Sequence, residues 1–218
     1  EIQPETGRKQ TDMKRLVILG DSIAAGTYTA EGDWCPLHKA KTFGEIIGER
    51  LGFDETVNLA VNGITYSRLN REREENCVIE QENRAPECSV LIISAGTNDF
   101  GTNVPPGEAD SEKAGEEERN GNTFCGATEI VFSEIARKRK NTRVVIVTPY
   151  NRAQETNEIG HTLGEYRKIL EEKAKKYGFL LVKGEEIPLT KKELFDGLHP
   201  DNAGHKLIAE RLIKELSE

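Results

Sequence analysis

The chain has 218 residues, 36% of them hydrophobic and 31% charged, and its 38 acidic and 30 basic side chains give a formal charge of −8. A single α/β domain of this size is ordinary, and the apolar content fills one core beneath a well-solvated surface. The acidic balance argues against a nucleic-acid partner, which demands a basic face, and no apolar run has the length of a membrane-spanning helix.

Residues 1–13 read as an N-terminal arm, flexible or appended, ahead of a catalytic-size unit over 14–218. The chain starts at Glu1 without a signal-peptide pattern, and its only methionine, Met13, stands just before the first strand. The expectation is a soluble protein, either cytoplasmic or secreted with its leader already removed. Cys35, Cys77, Cys88 and Cys125 are too few and too scattered for a disulfide scaffold, and none has C-x-x-C spacing. They read as unpaired thiols more readily than as disulfides.

Five short runs follow in order: "RLVIL" (15–19), "TVNLAV" (56–61), "SVLIIS" (89–94), "RVVIVT" (143–148) and "FLLV" (179–182). Each is nearly continuous in aliphatic residues, as strands buried on both faces of a parallel sheet are. Helical patterns separate them at 42–52, about 126–139, 162–178 and 201–218. The last carries a stripe of Leu207, Ile208, Leu212, Ile213 and Leu216 at helical spacing, and Gly178 marks a C-terminal stop for the third. Strands alternating with helices predict a doubly wound α/β sandwich with right-handed crossovers. A charged stretch at 70–88 reads as an irregular or helical crossover, and 103–122, with two prolines and a run of glutamates, as a surface insertion.

Ligands of open α/β sheets bind beyond the carboxyl ends of the strands. After the first run stands Gly20-Asp21-Ser22, after the second Asn62-Gly63, after the third Gly96-Thr97-Asn98-Asp99, and before the last helix Asp196-Gly197-Leu198-His199-Pro200. "GDSIAAG" matches neither a dinucleotide fingerprint nor a P-loop. A serine needs an imidazole to take its proton and a carboxylate to hold that imidazole in the right tautomer. Asp196 and His199, three residues apart, would share one side of a helical turn, with Phe195, Leu198 and Pro200 keeping the pair partly dry. His38, His161 and His205 lack such an acid and read as surface or capping residues. The backbone N–H of Ser22 at the opening of a helix, Gly63, and the Asn98 amide are candidate oxyanion donors. Asp21 and Asp99 are expected to hold loops by hydrogen bonds.

These blocks, "GDS", "NLAVNG", "GTND" and "DGLHP", resemble in residues and order the four signature blocks of the SGNH, or GDSL-type, esterase/lipase superfamily. The resemblance runs from residue 15 to the final helix. It implies a flavodoxin-like three-layer α/β/α sandwich of about five parallel strands, with no metal or other cofactor and an open site for acyl esters. It implies Ser22 as nucleophile, His199 as base, Asp196 as its partner, and Ser22, Gly63 and Asn98 as the oxyanion hole. The insertion at 103–122 has no counterpart in the shared pattern.

The mean hydropathy of −0.60 and the lack of a greasy lid segment disfavour an interfacial lipase. The expected substrate is a short acyl ester, most simply an acetyl ester of a sugar or another small soluble ester. Tyr28, Trp34 and Tyr66 are candidates to stack on a sugar ring, Arg152 to meet a polar leaving group, and Asp21 to lie beside the substrate. Three readings stay open beside this one: a lysophospholipase or thioesterase of the same superfamily, a metal-dependent phosphoesterase using Asp21, Asp99, Asp196 and His199, and a glycan-binding module without turnover. The oligomeric state is not legible.

Overall fold

The apolar runs form one parallel sheet because each carries side chains that must be buried on both faces. Residues 13–69, 77–108 and 120–218 are described by the structure, a computed structural model. The arm at 1–12 and parts of the two expected connecting segments, 70–76 and 109–119, lie outside the described residues. The sheet strands are β1 (Arg15–Gly20), β4 (Glu55–Asn58), β5 (Val90–Ser94), β6 (Arg143–Val147) and β7 (Leu180–Val182). A small antiparallel pair, β2 (Thr27–Tyr28) and β3 (His38–Lys39), leaves the sheet after β1. The sheet order is β4-β1-β5-β6-β7 with every pair parallel, so the chain reverses its direction of growth between β1 and β5. That is the flavodoxin-like order, and its switch point is where such folds bind ligands.

The helices are α1 (Phe43–Leu51), α2 (Val78–Arg84), α3 (Thr97–Gly101), α4 (Phe124–Lys138), α5 (Leu163–Tyr177) and α6 (Asn202–Ser217). Successive strand residues face opposite layers. Val17, Leu19, Leu91, Ile93, Val144 and Ile146 pack with α2, α4 and α5. Leu16, Ile18, Val90, Ile92, Val145 and Val147 pack with α1 and α6. The result is the expected three-layer sandwich.

The helix ends follow local chemistry. Thr42 and Glu45 form a capping box, with Glu45 N–H donating to Thr42 Oγ1 at 3.2 Å and Thr42 N–H to Glu45 Oε2 at 2.7 Å. Helix α4 starts two residues earlier than its apolar pattern because Thr123 Oγ1 accepts the Gly126 N–H. Strand β4 is shorter than the run at 56–61, yet Leu59 and Val61 still donate to Ile18 and Gly20 of β1, at 2.9 and 3.0 Å. The run is therefore edge chain that stays hydrogen-bonded beyond its last ladder pair. Helix α3 and the β2–β3 pair were not foreseen, being too short to show a period. Cys35 and Cys88 are free thiols. Among the described residues no helix is long and apolar enough to cross a membrane.

Of the surface and capping roles expected for His205, the structure gives it the capping one. It is fully buried (0% exposed), and its Nδ1 accepts the Phe43 N–H at 3.1 Å, so the imidazole caps α1 from α6. Its ring stacks on Phe43 with centroids 5.9 Å apart. Burial pushes its pKa down to about 4 against a smaller upward pull from Glu45.

Candidate active site

The site is built where β1 and β5 end. Strand β1 delivers Gly20, Asp21 and Ser22 into a tight turn: Ala25 N–H donates to Asp21 O at 2.9 Å, Gly26 N–H to Ile23 O at 2.9 Å, and Thr27 N–H to Ser22 O at 3.0 Å. Ser22 therefore sits on a turn that feeds β2, and the helix expected to open there does not form. Gly20 is required by space, since a Cβ at that position would stand 2.3 Å from the Ser94 carbonyl oxygen and 2.7 Å from Ala24 Cβ. Its backbone N–H and C=O are both held by the buried Gln81 side chain of α2, each at 2.9 Å.

Ser22 Oγ lies 2.9 Å from His199 Nε2, and His199 Nδ1 lies 2.7 Å from Asp196 Oδ2. The His199 and Asp196 side chains are 12% and 23% exposed. The pair does not lie on a helical turn. Asp196 Oδ1 accepts the backbone N–H groups of Leu198 and His199, at 2.9 and 2.8 Å, and Gly197 takes φ 76, which folds a tight loop ahead of α6. Spacing of three thus brings the two side chains together by a local Asx-type turn. Phe195, expected to shield the pair, is 50% exposed. Burial pushes the Asp196 pKa upward, but hydrogen bonds from the His199 N–H, Thr29, the His199 ring and the Leu198 N–H outweigh it and hold the carboxyl below its usual value.

Two further segments meet Ser22's end of the sheet. Gly63 is solvent-facing with φ 75, and a Cβ there would meet nothing within 4 Å. Asn98, in the first turn of α3, donates Nδ2 to the Ile64 carbonyl at 2.9 Å. Asp99, fully buried, accepts the N–H groups of Tyr66 and Ser67 at 2.9 and 2.8 Å. The Asn98 and Gly63 segments are therefore laced together by side chain-to-backbone bonds, the loop-holding role read for Asp99. Asp21 is likewise buried and accepts the Ile23 N–H at 2.9 Å. Burial raises its pKa to about 7, opposed by backbone hydrogen bonds and by the Arg152 charge.

The candidate substrate contacts divide. Tyr66 is 1% exposed and lies edge-on to Phe124 and Phe132, so it packs the core and cannot stack on a sugar. Asp21, at 2% exposure, holds its turn and presents no surface to a substrate. Tyr28 is half-buried with its ring 5.2 Å from His38 across the β2–β3 pair. Trp34, in the loop between those strands, is 89% exposed. Arg152 is half-buried, donates Nη1 to Thr97 O and Oγ1, both at 3.2 Å, and lies over the Phe100 ring. Sequence reasoning missed Thr29, whose Oγ1 donates to Asp196 Oδ2 at 2.7 Å, and also Gln81. Neither lies within a motif, so no local signal marks them. The carboxylates proposed for a metal are occupied otherwise, Asp99 by two backbone N–H groups and Asp196 by four donors. Among the described residues no three His, Cys, Asp or Glu side chains are grouped to hold a metal ion.

The model of the GDSL-like lipase/acylhydrolase family matches residues 18–207, a span that includes all four blocks. The chain belongs to this family. Its fold is shared with solved structures of low identity. One is a protein from Lactobacillus plantarum, 20% identical with a TM-score of 0.76, covering 94% of this chain and 97% of that one. Another is the aryl esterase of M. smegmatis in an inhibitor-bound form, 14% identical with a TM-score of 0.72, covering 94% and 98%. A third is an acetylxylan esterase from Geobacillus stearothermophilus, 18% identical with a TM-score of 0.60, covering 94% of both chains. No curated protein sequence matches the chain. As a GDSL-family member of the SGNH superfamily, the protein is a carboxylic ester hydrolase.

Proposed function

We propose that this GDSL-family hydrolase cleaves short-chain acyl esters through an acyl-enzyme on Ser22, with acetyl esters of sugars or other small soluble esters as its substrates. The observation that carries the reading is the continuous line from Ser22 Oγ to His199 Nε2 at 2.9 Å and from His199 Nδ1 to Asp196 Oδ2 at 2.7 Å. An ionised Asp196 keeps the His199 proton on Nδ1, which leaves Nε2 as the base. Nε2 takes the Ser22 proton as Oγ attacks the ester carbonyl. The oxyanion is received by the Ser22 and Gly63 N–H groups and by the Asn98 amide, whose nitrogen carries a second hydrogen beyond the one given to Ile64. His199 then protonates the departing alcohol and the C–O bond breaks. A water deprotonated by the same nitrogen hydrolyses the acyl-serine, releasing the acid and restoring the hydroxyl.

A hydrophilic chain suits small soluble esters, as does the acetylxylan specificity in the name of one structural relative. Trp34 is offered to a sugar or aryl leaving group from its exposed loop, and Arg152 to a polar one. The test is hydrolysis of p-nitrophenyl esters from acetate to decanoate, with EDTA present, by the wild type and Ser22→Ala. Activity that peaks at acetate and disappears in the variant is expected. A maximum at long chains overturns the substrate class in favour of a lysophospholipase or thioesterase, and equal activity in Ser22→Ala overturns the mechanism.

A further inference from the structure

The Asp196 carboxylate accepts four hydrogen bonds, which is about the full capacity of an ionised carboxylate. Three come from its own loop: the Leu198 and His199 N–H groups at Oδ1, and His199 Nδ1 at Oδ2. The fourth reaches Oδ2 from Thr29 Oγ1 at 2.7 Å, across 167 residues of sequence. Thr29 is buried and belongs to the segment that leaves the Ser22 turn. That segment is anchored on both sides. Thr27 N–H donates to Ser22 O at 3.0 Å, Thr27 Oγ1 donates to Asn62 Oδ1 at 3.0 Å, and Ala40 N–H donates to Gly26 O at 2.7 Å. The chain thus runs from Ser22 to Thr29, is tied to Asp196, passes through the Asp196–His199 bond, and returns to Ser22 through His199 Nε2. It closes a ring in which one short segment, Ser22 to Thr29, fixes the nucleophile at one end and the carboxylate at the other.

We propose that Thr29 is a positioning residue: its hydroxyl shares Asp196 Oδ2 with the His199 ring, fixes the carboxylate against the segment that carries Ser22, and holds the imidazole at bonding distance from the nucleophile. The inference rests on the serine-hydrolase reading above. Two consequences follow from the shared oxygen. Without Thr29 the carboxylate loses its only side-chain tie to the Ser22 segment among the described residues, so fewer molecules hold the Ser22–His199 geometry. The negative charge on Oδ2 is also no longer divided between two donors, so it attracts the His199 imidazolium more strongly.

The experiment compares wild type, Thr29→Val, Thr29→Ala and Thr29→Ser on p-nitrophenyl acetate across pH 5–9. Titration with an aryl phosphonate and mass spectrometry of the labelled peptide run alongside. Loss of a hydrogen bond to a charged group is on the order of ten- to hundred-fold, and the expected loss in Thr29→Val and Thr29→Ala falls in kcat with KM little changed. The acid limb of kcat/KM should move to higher pH in both, while Thr29→Ser restores the wild-type rate and limb. Asp21 and Arg152 beside the Ser22 turn and Tyr28, Glu31, Asp33, Cys35, His38 and Lys39 on the β2–β3 segment are other ionisable groups of these elements, Lys39 Nζ donating to Thr27 Oγ1 at 2.8 Å. They are common to all four proteins, so differences between variants report Thr29. Unchanged kcat and pH profile in Thr29→Val or Thr29→Ala, with Ser22 still labelled, overturns the proposal for Thr29 alone. Equal loss in Thr29→Ser also overturns it, because a hydroxyl then fails to rescue. Failure of the phosphonate to label Ser22 in the wild type overturns the underlying hydrolase reading instead.

Discussion

Replacing His205 by Asn isolates one buried imidazole in the pH dependence of folding. Asn keeps an oxygen able to accept the Phe43 N–H but does not titrate. In the native state the His205 pKa falls from 6.5 to about 4 through burial, with the Glu45 charge pulling it partly back. The unfolded chain takes up this proton near 6.5 and the folded chain does not until about 4. His205 therefore leaves stability intact above 6.5 and removes it as pH falls toward 4. The separation corresponds to ~3 kcal/mol, most of which has gone by about pH 4.5. Asp21 acts with the opposite sign, because a carboxyl raised to about 7 costs stability as pH rises from its unfolded value of 3.8. The wild-type curve alone therefore mixes the two. Urea unfolding of both proteins at pH 4.5 and 7.5 removes the shared part: the wild-type-minus-variant stability should fall by roughly 2–3 kcal/mol on going to the lower pH. The cavity left by the smaller side chain shifts both points equally. A difference that stays flat between the two pH values would refute the account of His205 as a neutral, buried helix cap.

Two further substitutions test how the scaffold holds the site. Glu82 and Arg139 form a buried ion pair at 2.6 Å, joining α2 to the end of α4. Glu82→Ala strands the guanidinium and should cost ~3 kcal/mol in urea unfolding, at the low end for a broken buried pair because Arg139 keeps the carbonyls of Ala85 and Pro86. Asp99→Asn replaces one of the two oxygens that receive Tyr66 and Ser67 N–H by an NH₂ group, setting a donor against a donor. It should destabilise by ~1–3 kcal/mol and lower kcat on p-nitrophenyl acetate more than it raises KM, because it loosens Gly63 relative to Asn98. A variant that is less stable yet has unchanged kcat would detach Asp99 from the proposed oxyanion role of Gly63 and Asn98.

What the sequence conveyed depended on how far each cause reaches along the chain. The strands were legible because burial on both faces writes itself into consecutive residues, and α1 because Thr42 and Glu45 carry its cap within one turn. "DGLHP" was legible for a similar reason, although the expected helical turn is absent. Any compact turn brings residues three apart together, and Asp196 makes its own by capturing the Leu198 and His199 N–H groups. The errors fall where the deciding partner is remote. Tyr66 looks like a candidate for sugar stacking until Phe124 and Phe132, brought by α4, close over it. For His205 the choice between a surface and a capping role stayed open, because the helix it caps lies 162 residues away in sequence.

Thr29 is the extreme case. It lies outside every motif, just past a strand of two residues with no periodic signature, and its partner is 167 positions distant. In the proposed mechanism the motif residues supply the chemistry of the site, and their spacing can be read because each block is nearly self-sufficient. The distance between blocks has to be fixed by ordinary residues on the chain that joins or crosses them, such as Gln81 on Gly20, Asp99 on Tyr66 and Ser67, and Thr29 on Asp196. Chemistry in this chain is therefore written in four short words, whereas the alignment of those words is set by hydrogen bonds that only the folded sheet brings within reach.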